Sequence, residues 1–508
     1  MSGYTHVFSK IAFLYNRQSV QMRMILCFVI VIIYTLFFLS GNISKWEIFP
    51  DTLGYWNVQF SDPWGSGRTP GLGMYVKALG QYEASYKLIS SGKSDDELTK
   101  IALNDDLIND SFKYIANANY LLISISIALL SAALACHIHL APAVLIPIIF
   151  LSLTNLPPPR AILADPLAAI LTILFTAFGL FFLKNKKLIF LFLASLCAAY
   201  AFLVKPAMIF LAVIAGVLIL TSFIYLYNDL FKRIKVIFIG IIFIACTLIW
   251  PALLYMKGGI PAASQLSSTT KNMFAMYLLQ PGDDMLFSDI ADKELVAELL
   301  RQKPNIDHEL DESAFPEGRE YYSNARIYSY SVNTYGYVFF PSVFRQVRPD
   351  AKTNSQEWAK ISKSICEPII HAHFIEYAKV VARSFLSAYS RYPDCITSPF
   401  SIKFLGKIYQ YQIHLIIFIG MYFVIFSAIL LGHKPLKYPI IFVACLHPLA
   451  VFFCSIGHAV LERYVETTEW SLLLSFMLAI LSLWVKVSQG YTIVIVRKNA
   501  FEGKGDAA

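Results

Sequence analysis

Apolar runs close to the ~20 residues that a bilayer-crossing helix needs recur along the whole chain. They fall at Met24–Ser40, Tyr120–Cys136, Ala141–Thr154, Ala161–Leu183, Leu188–Val204, Ala207–Tyr227 and Val236–Met256. Three more follow at Ile413–Leu431, Tyr438–Cys454 and Trp470–Val485. Two long polar segments interrupt them, 41–119 and 257–412. The first contains an apolar periodicity around Arg68–Ile89 and an acidic stretch at Asp95–Phe112, both at helical spacing. The second contains Ile369–Tyr389, again at helical spacing, and reads as a compact extramembrane subdomain docked on the spans. The predicted fold class is an all-α polytopic membrane protein of about ten transmembrane helices with two large extracytoplasmic loops.

The distribution of Lys and Arg sets the predicted orientation. With the N-terminus in the cytoplasm, Lys184, Lys186 and Lys187 fall inside, as do Lys232, Arg233 and Lys235. Lys434 and Lys437, then Lys486, Arg497 and Lys498, follow the same side. The short outer loops carry only Arg160, Lys205 and Arg463. The organisation this predicts is a cytoplasmic N-terminus (1–23) and helices one to seven (24–256) enclosing the first outer loop. A large outer subdomain (257–412), helices eight to ten (413–485) and a cytoplasmic tail (486–508) complete it.

Composition agrees with a lipid-solvated fold: 57% of the 508 residues are hydrophobic and 15% charged, against about 25% charged in soluble domains. In this setting the net charge of +8 reads as cytoplasmic anchoring and not as a nucleic-acid surface. Lys10, Arg17 and Arg23 precede the first run, which reads as a retained signal anchor. Six cysteines lie in or at apolar runs. Cys366 and Cys395 share the large loop, where an extracytoplasmic disulfide is open to them. His371 and His373 stand two apart, a spacing that does not share a helix face, so no metal pair is expected.

The topology gathers ionisable residues at one outer boundary: Asp51 in IFPDTLGYW, Arg160 and Asp165 in PPPRAILADPLAA, Lys205 in FLVKPAM, and Arg463 beside Tyr464 in HAVLERYVETTEW. Charges at such a boundary cost free energy unless solvated or paired. Cations there can neutralise a phosphate, Arg through a bidentate fork, and a carboxylate can take a proton from a hydroxyl. Plainer roles compete with this one. The cations can snorkel to lipid headgroups, Asp165 before Pro166 can cap a helix, and Asp51 after Pro50 can sit in a turn.

These stretches resemble GT-C membrane glycosyltransferases, the superfamily of protein O-mannosyltransferases and aminoarabinose transferases. Bacterial O-antigen-modifying glucosyltransferases are similar in layout. FPDTLGYW is similar to the family's acid after span one, SGRTPGLGMYVKAL supplies Arg68 with Pro70 and Gly71, and LVKPAM resembles its Lys/Arg-Pro turn. RAILADPLAAILTILF, LERYVETTEW and PIIHAHFIEYAKVVARSFLSAY resemble its fourth-span opening, its Arg-Tyr element and its late long helix. Two departures stand out: Asp51 has no adjacent acid, Glu47 and Asp62 being the nearest alternatives, and the Arg-Tyr element lacks following prolines.

The resemblance implies a polyprenyl-phosphate-linked sugar donor, a hexose such as glucose, and an extracytoplasmic glycan acceptor such as the O-antigen of lipopolysaccharide. It implies Asp51 as general base of an inverting transfer and Arg463 and Lys205 as stabilisers of the departing lipid phosphate. Arg68, Arg160, Asp165 and Tyr464 complete the substrate-binding set. The site would face the periplasm from a bacterial inner membrane. No cofactor is expected and no ligand cluster demands a divalent metal, which the superfamily permits. An O-antigen polymerase or ligase, working through outer-loop arginines, and a lipid-linked sugar flippase are the rival readings.

Overall fold

The computed structural model describes residues 19–47, 69–81, 101, 104–153, 156–226, 229–258, 266–314, 331, 334–350, 356–390, 413–457 and 462–502. Among these residues the chain is almost entirely helical. The exception is one isolated parallel bridge, Glu47 to Ala161.

The first helix, α1 (Val20–Phe38), starts where the Ser19 hydroxyl accepts from the Met22 N–H. A short helix, α2 (Gly71–Ala78), is what is described of the predicted Arg68–Ile89 periodicity; it stops at Leu79–Gly80, where Gly80 takes φ +73. The acidic stretch is described only in part: Ile101 and Asn104 are helical, and α3 (Asp106–Ala135) runs 30 residues from the end of that stretch through the second apolar run. Asp105 caps it by accepting from the Ile108 N–H, and no helix breaker separates Phe112 from Tyr120.

Next come α4 (Leu140–Leu153), α5 (Ala164–Asn185), α6 (Leu188–Val204), α7 (Ile209–Tyr225) and α8 (Leu230–Gly258). The large polar segment folds as α9 (Leu266–Leu278), α10 (Ile290–Ala314), α11 (Phe340–Val347), α12 (Gln356–Ala372) and α13 (Phe374–Ser390). The predicted helix over Ile369–Tyr389 is therefore two helices that meet at His373. The chain closes with α14 (Ile413–Leu431), α15 (Lys437–Ala444), α16 (Leu446–Gly457) and the 41-residue α17 (Glu462–Glu502).

Seven of these helical segments are long and apolar enough to cross a membrane: α1, α3, α5, Pro206–Tyr225, Leu230–Lys257, Lys434–Ile456 and Thr467–Gln489. Three shorter apolar helices, at Leu140–Ile149, Leu188–Val204 and Ile417–Leu431, stand where the remaining runs were predicted. Burial grades these helices. In α5, 83% of the apolar window is buried by protein, against 17% in α1 and 28% in α8, so α5 is central and the other two face outward. Small residues permit the central packing: a Cβ at Gly179 of α5 would lie 2.2 Å from the Phe442 ring of α15. Two buried hydroxyls of α5 are satisfied within the helix itself, Thr172 on the Ala168 carbonyl and Thr176 on the Thr172 carbonyl, both at 2.8 Å.

The polar segment has a second hydrophobic core of its own. Trp358 packs edge-on to Phe340 and Phe344 with centroids 5.2 and 4.8 Å apart, among Tyr335, Phe339, Leu295 and Ile365. Cys366 lies in this core as a free thiol 2.9 Å from the Asn272 side-chain oxygen, and burial pushes its pKa up. It is therefore not cross-linked; Cys395 lies outside the described residues. The polar segment packs against the apolar helices at several places. Tyr377 of α13 donates to the Ile456 carbonyl at 2.9 Å, and Ala359 of α12 packs with Trp250, Leu254 and Leu203.

Candidate functional site: a buried ion pair at one end of the helix bundle

The site grows from the break between α6 and α7. Pro206 disfavours helical geometry in the residue before it, and Lys205 takes φ −151 and ψ 117. The extended Lys205 leaves the α6 axis and turns inward, with 3% of its side chain exposed. Its ammonium meets the carboxylate of Asp165, itself 6% exposed. Asp165 is not the cap of α5: Leu163 holds that position with no side-chain hydrogen bond, and Asp165 sits inside the first turn. The partial positive charge of a helix N-terminus favours a carboxylate there. Of the sequence-predicted residues, these two are brought into direct contact.

Arg160 lies five residues ahead of Asp165 and is engaged differently. Its Nε stands 2.9 Å from Glu47 Oε1, with the N–H directed off that line, and both side chains are about two-fifths exposed. The backbone locks the pair in place: Glu47 N–H donates to the Arg160 carbonyl at 2.9 Å and Ile162 N–H to the Glu47 carbonyl at 3.0 Å. Glu47, an alternative to Asp51 as the acid after span one, is thus the partner of Arg160.

The RTPG stretch meets the Lys205 turn through its described residues. Thr69 donates its hydroxyl to the Val204 carbonyl at 3.0 Å, and Tyr200 donates to the Gly71 carbonyl at 2.8 Å. Gly71 approaches so closely that a Cβ there would lie 2.4 Å from the Val204 nitrogen. From α2, Tyr75 donates to Asn119 of α3 at 3.0 Å, and Asn119 donates to the Pro159 carbonyl at 3.2 Å. Burial raises the Tyr75 pKa, keeping the phenol protonated and a donor. The α2 segment is therefore pinned both to the residue before Lys205 and to the residue before Arg160.

Asp51, Asp62 and Arg68 lie outside the described residues. Arg463 and Tyr464 occupy the first turn of α17, where only the backbone is described. His373 pairs with Asp283 at 2.9 and 3.0 Å while His371 is exposed, so the two do not act together. Among the described residues, no three metal-ligating side chains gather.

Two polar residues in apolar helices were not singled out by sequence. His447, 1% exposed at the start of α16, has Nδ1 3.1 Å from the Thr468 hydroxyl of α17. Glu469 falls near the start of the Thr467–Gln489 window, one residue ahead of the predicted run from Trp470. The helix α17 begins at Glu462 and continues unbroken, so Trp470 does not mark its start. Glu469 was legible as part of VETTEW; the His447–Thr468 contact joins two helices and left no local signal.

Fold and site together define an all-α integral membrane protein with a buried Lys–Asp pair at one end of its helices. No family model, curated protein or solved structure matches the chain.

Proposed function

We propose that this protein is a membrane glycosyltransferase of the GT-C type, moving a hexose from a polyprenyl-phosphate donor to an extracytoplasmic glycan. The observation that carries this reading is the buried Asp165–Lys205 pair beside the anchored Thr69–Gly71 segment. An ion pair held out of water near a helix end is expensive and is retained by default for function. Lys205 held in this way is a fixed cation for a lipid-linked phosphate, and Asp165 orients it. Thr69 brings the backbone next to Arg68 to within one residue of the same turn.

In the proposed reaction the acceptor hydroxyl oxygen forms a bond to the anomeric carbon as the bond from that carbon to the phosphate oxygen breaks. The hydroxyl proton passes to the Asp51 carboxylate, and the electron pair leaves with polyprenyl phosphate, whose charge Lys205 and Arg463 balance. A general base of this kind contributes ~10²–10⁴ in rate. Ten spans, with both termini in the cytoplasm of a bacterial cell and the site facing the periplasm, complete the proposal. O-antigen is the acceptor it favours.

The test is mass spectrometry of surface lipopolysaccharide from cells with and without the protein, and with Asp51→Asn and Lys205→Ala. A hexose-sized shift on the O-antigen that Asp51→Asn abolishes supports the transfer. A change in glycan chain length instead of hexose content points to a polymerase or ligase. No covalent product, with sugar carried across the membrane, points to a flippase.

A further inference from the structure

The opposite end of the bundle has a different chemistry, and the reaction proposed above does not use it. The turn from α5 to α6 carries Lys184, Lys186 and Lys187, and the start of α8 carries Lys232, Arg233 and Lys235. The two turns touch: Lys186, in a left-handed conformation with φ +55, has its Nζ 5.9 Å from the Tyr225 ring at the end of α7. Asp229, the acid of that segment, is paired with Lys232 at 2.8 Å. The excess of cations at this end is therefore not balanced from within the segment.

Below these cations α8 is flanked by two apolar creases. The crease against α6, about 350 Å³, is lined by Leu188, Ile189, Phe192, Ile234, Phe238 and Ile239, with Lys235 as its one charged lining residue. Lys187, exposed, immediately precedes the lining residue Leu188 in sequence. The crease against α7, about 380 Å³, runs along Ile219, Phe223, Val236 and Phe243. It is deepened by Gly216, with no atom within 4 Å of where a Cβ would stand, and by Gly240. Its cation is Arg233, whose guanidinium lies 4.3 Å from the Phe223 ring centroid.

Each crease therefore pairs a chain-wide apolar track with a cation at its basic end. That pairing matches one molecule class: a lipid with an anionic phosphate head and hydrocarbon tails. We infer that the two faces of α8 form a binding site for anionic phospholipid, with tails in the creases and phosphate held by Lys187, Arg233 and Lys235. Zwitterionic lipid fits the tracks equally but gains less from the cations. Attraction of a basic segment to anionic lipid is worth a roughly fivefold gain in affinity per Lys or Arg.

The test uses the full chain in nanodiscs of phosphatidylcholine doped with phosphatidylglycerol or diphosphatidylglycerol, read by native mass spectrometry after transfer to detergent. The wild type is expected to retain anionic lipid selectively. The triple variant Lys187→Gln, Arg233→Gln and Lys235→Gln, with both lysines exposed and the arginine partly buried, should lose that selectivity by on the order of a hundredfold. Gly216→Leu, which fills one crease without changing charge, should also reduce retention. Selectivity unchanged in the triple variant overturns the site. So does a loss in the triple variant with none in Gly216→Leu, because retention would then be surface electrostatics alone. Preference for the diphosphate lipid over the monophosphate one would support simultaneous use of both creases.

Discussion

The two ends of the helix bundle handle charge in opposite ways. At one end Asp165 and Lys205 are paired and withdrawn from solvent. At the other, Lys184, Lys186, Lys187, Lys232 and Lys235 are exposed, and their excess charge faces outward. The difference lies in what each charge can do without a partner. An exposed lysine is solvated whatever surrounds it, so it can be gained or lost at little cost to the fold. A buried one depends on its carboxylate, and the pair holds a fixed geometry that solvent does not compete for.

The contrast can be broken most directly at the buried pair. Lys205→Met leaves Asp165 buried and unpaired and should cost about 3–5 kcal/mol, read as a lowered unfolding midpoint in detergent. Asp165→Leu combined with Lys205→Met should recover most of that loss while remaining inactive in sugar transfer. If the double variant is no more stable than the single, burial of an unpaired charge is not what the single variant suffers.

Gly71→Val tests the contact that brings the first loop to Lys205. The added carbons meet Val204 backbone, and the overpacking should cost about 1–3 kcal/mol. Tyr75→Phe should cost about 1 kcal/mol by leaving Asn119 short of one donor, measurable by the same unfolding assay.

Smaller still is the effect expected at the half-exposed pair. Glu47→Gln should change stability by no more than about 1 kcal/mol, less in high salt. Substituting Lys184 and Lys232 with Gln should stay within about 0.5 kcal/mol, which completes the contrast between the two ends.

A last, minor effect belongs to the extramembrane helices. Hydrogen bonds from Arg301 and Gln302 hold the Glu298 carboxyl well down, at about 2. Since the folded value is depressed, the contribution is full above the unfolded value of about 4.3 and is lost as pH falls toward 2. Glu298→Gln should remove that part of the acid sensitivity. With Arg301 at the surface, salt should weaken it.

Much of this architecture was legible one helix at a time. Apolar length alone predicted the seven described helices that are long and apolar enough to cross a membrane, because in lipid the local sequence must satisfy its own backbone. Lys205 and Asp165 were legible as out-of-place charges. Their pairing was not, because 40 residues separate them and only the packing of α5 on α6 closes the gap. Arg160 illustrates the converse. Its sequence neighbourhood made it a phosphate ligand as readily as a snorkelling cation, and it is the partner of Glu47. The start of α3 at Asp106, well ahead of Tyr120, was missed because a change of polarity was read as a boundary, although no breaker stands between Phe112 and Tyr120.

What sequence determined alone was polarity and secondary structure: which segments are apolar and long enough for lipid, which are polar, and that nearly all described residues are helical. Tertiary structure alone decided which charge meets which, because ion pairing depends on a few ångströms between residues far apart in the chain. It also decided that Gly71 must lack a side chain and that Cys366 stays a buried thiol. Hydrophobic run length is a one-dimensional quantity and can be read along the chain. The partner of a buried charge is set by the packing of helices in three dimensions.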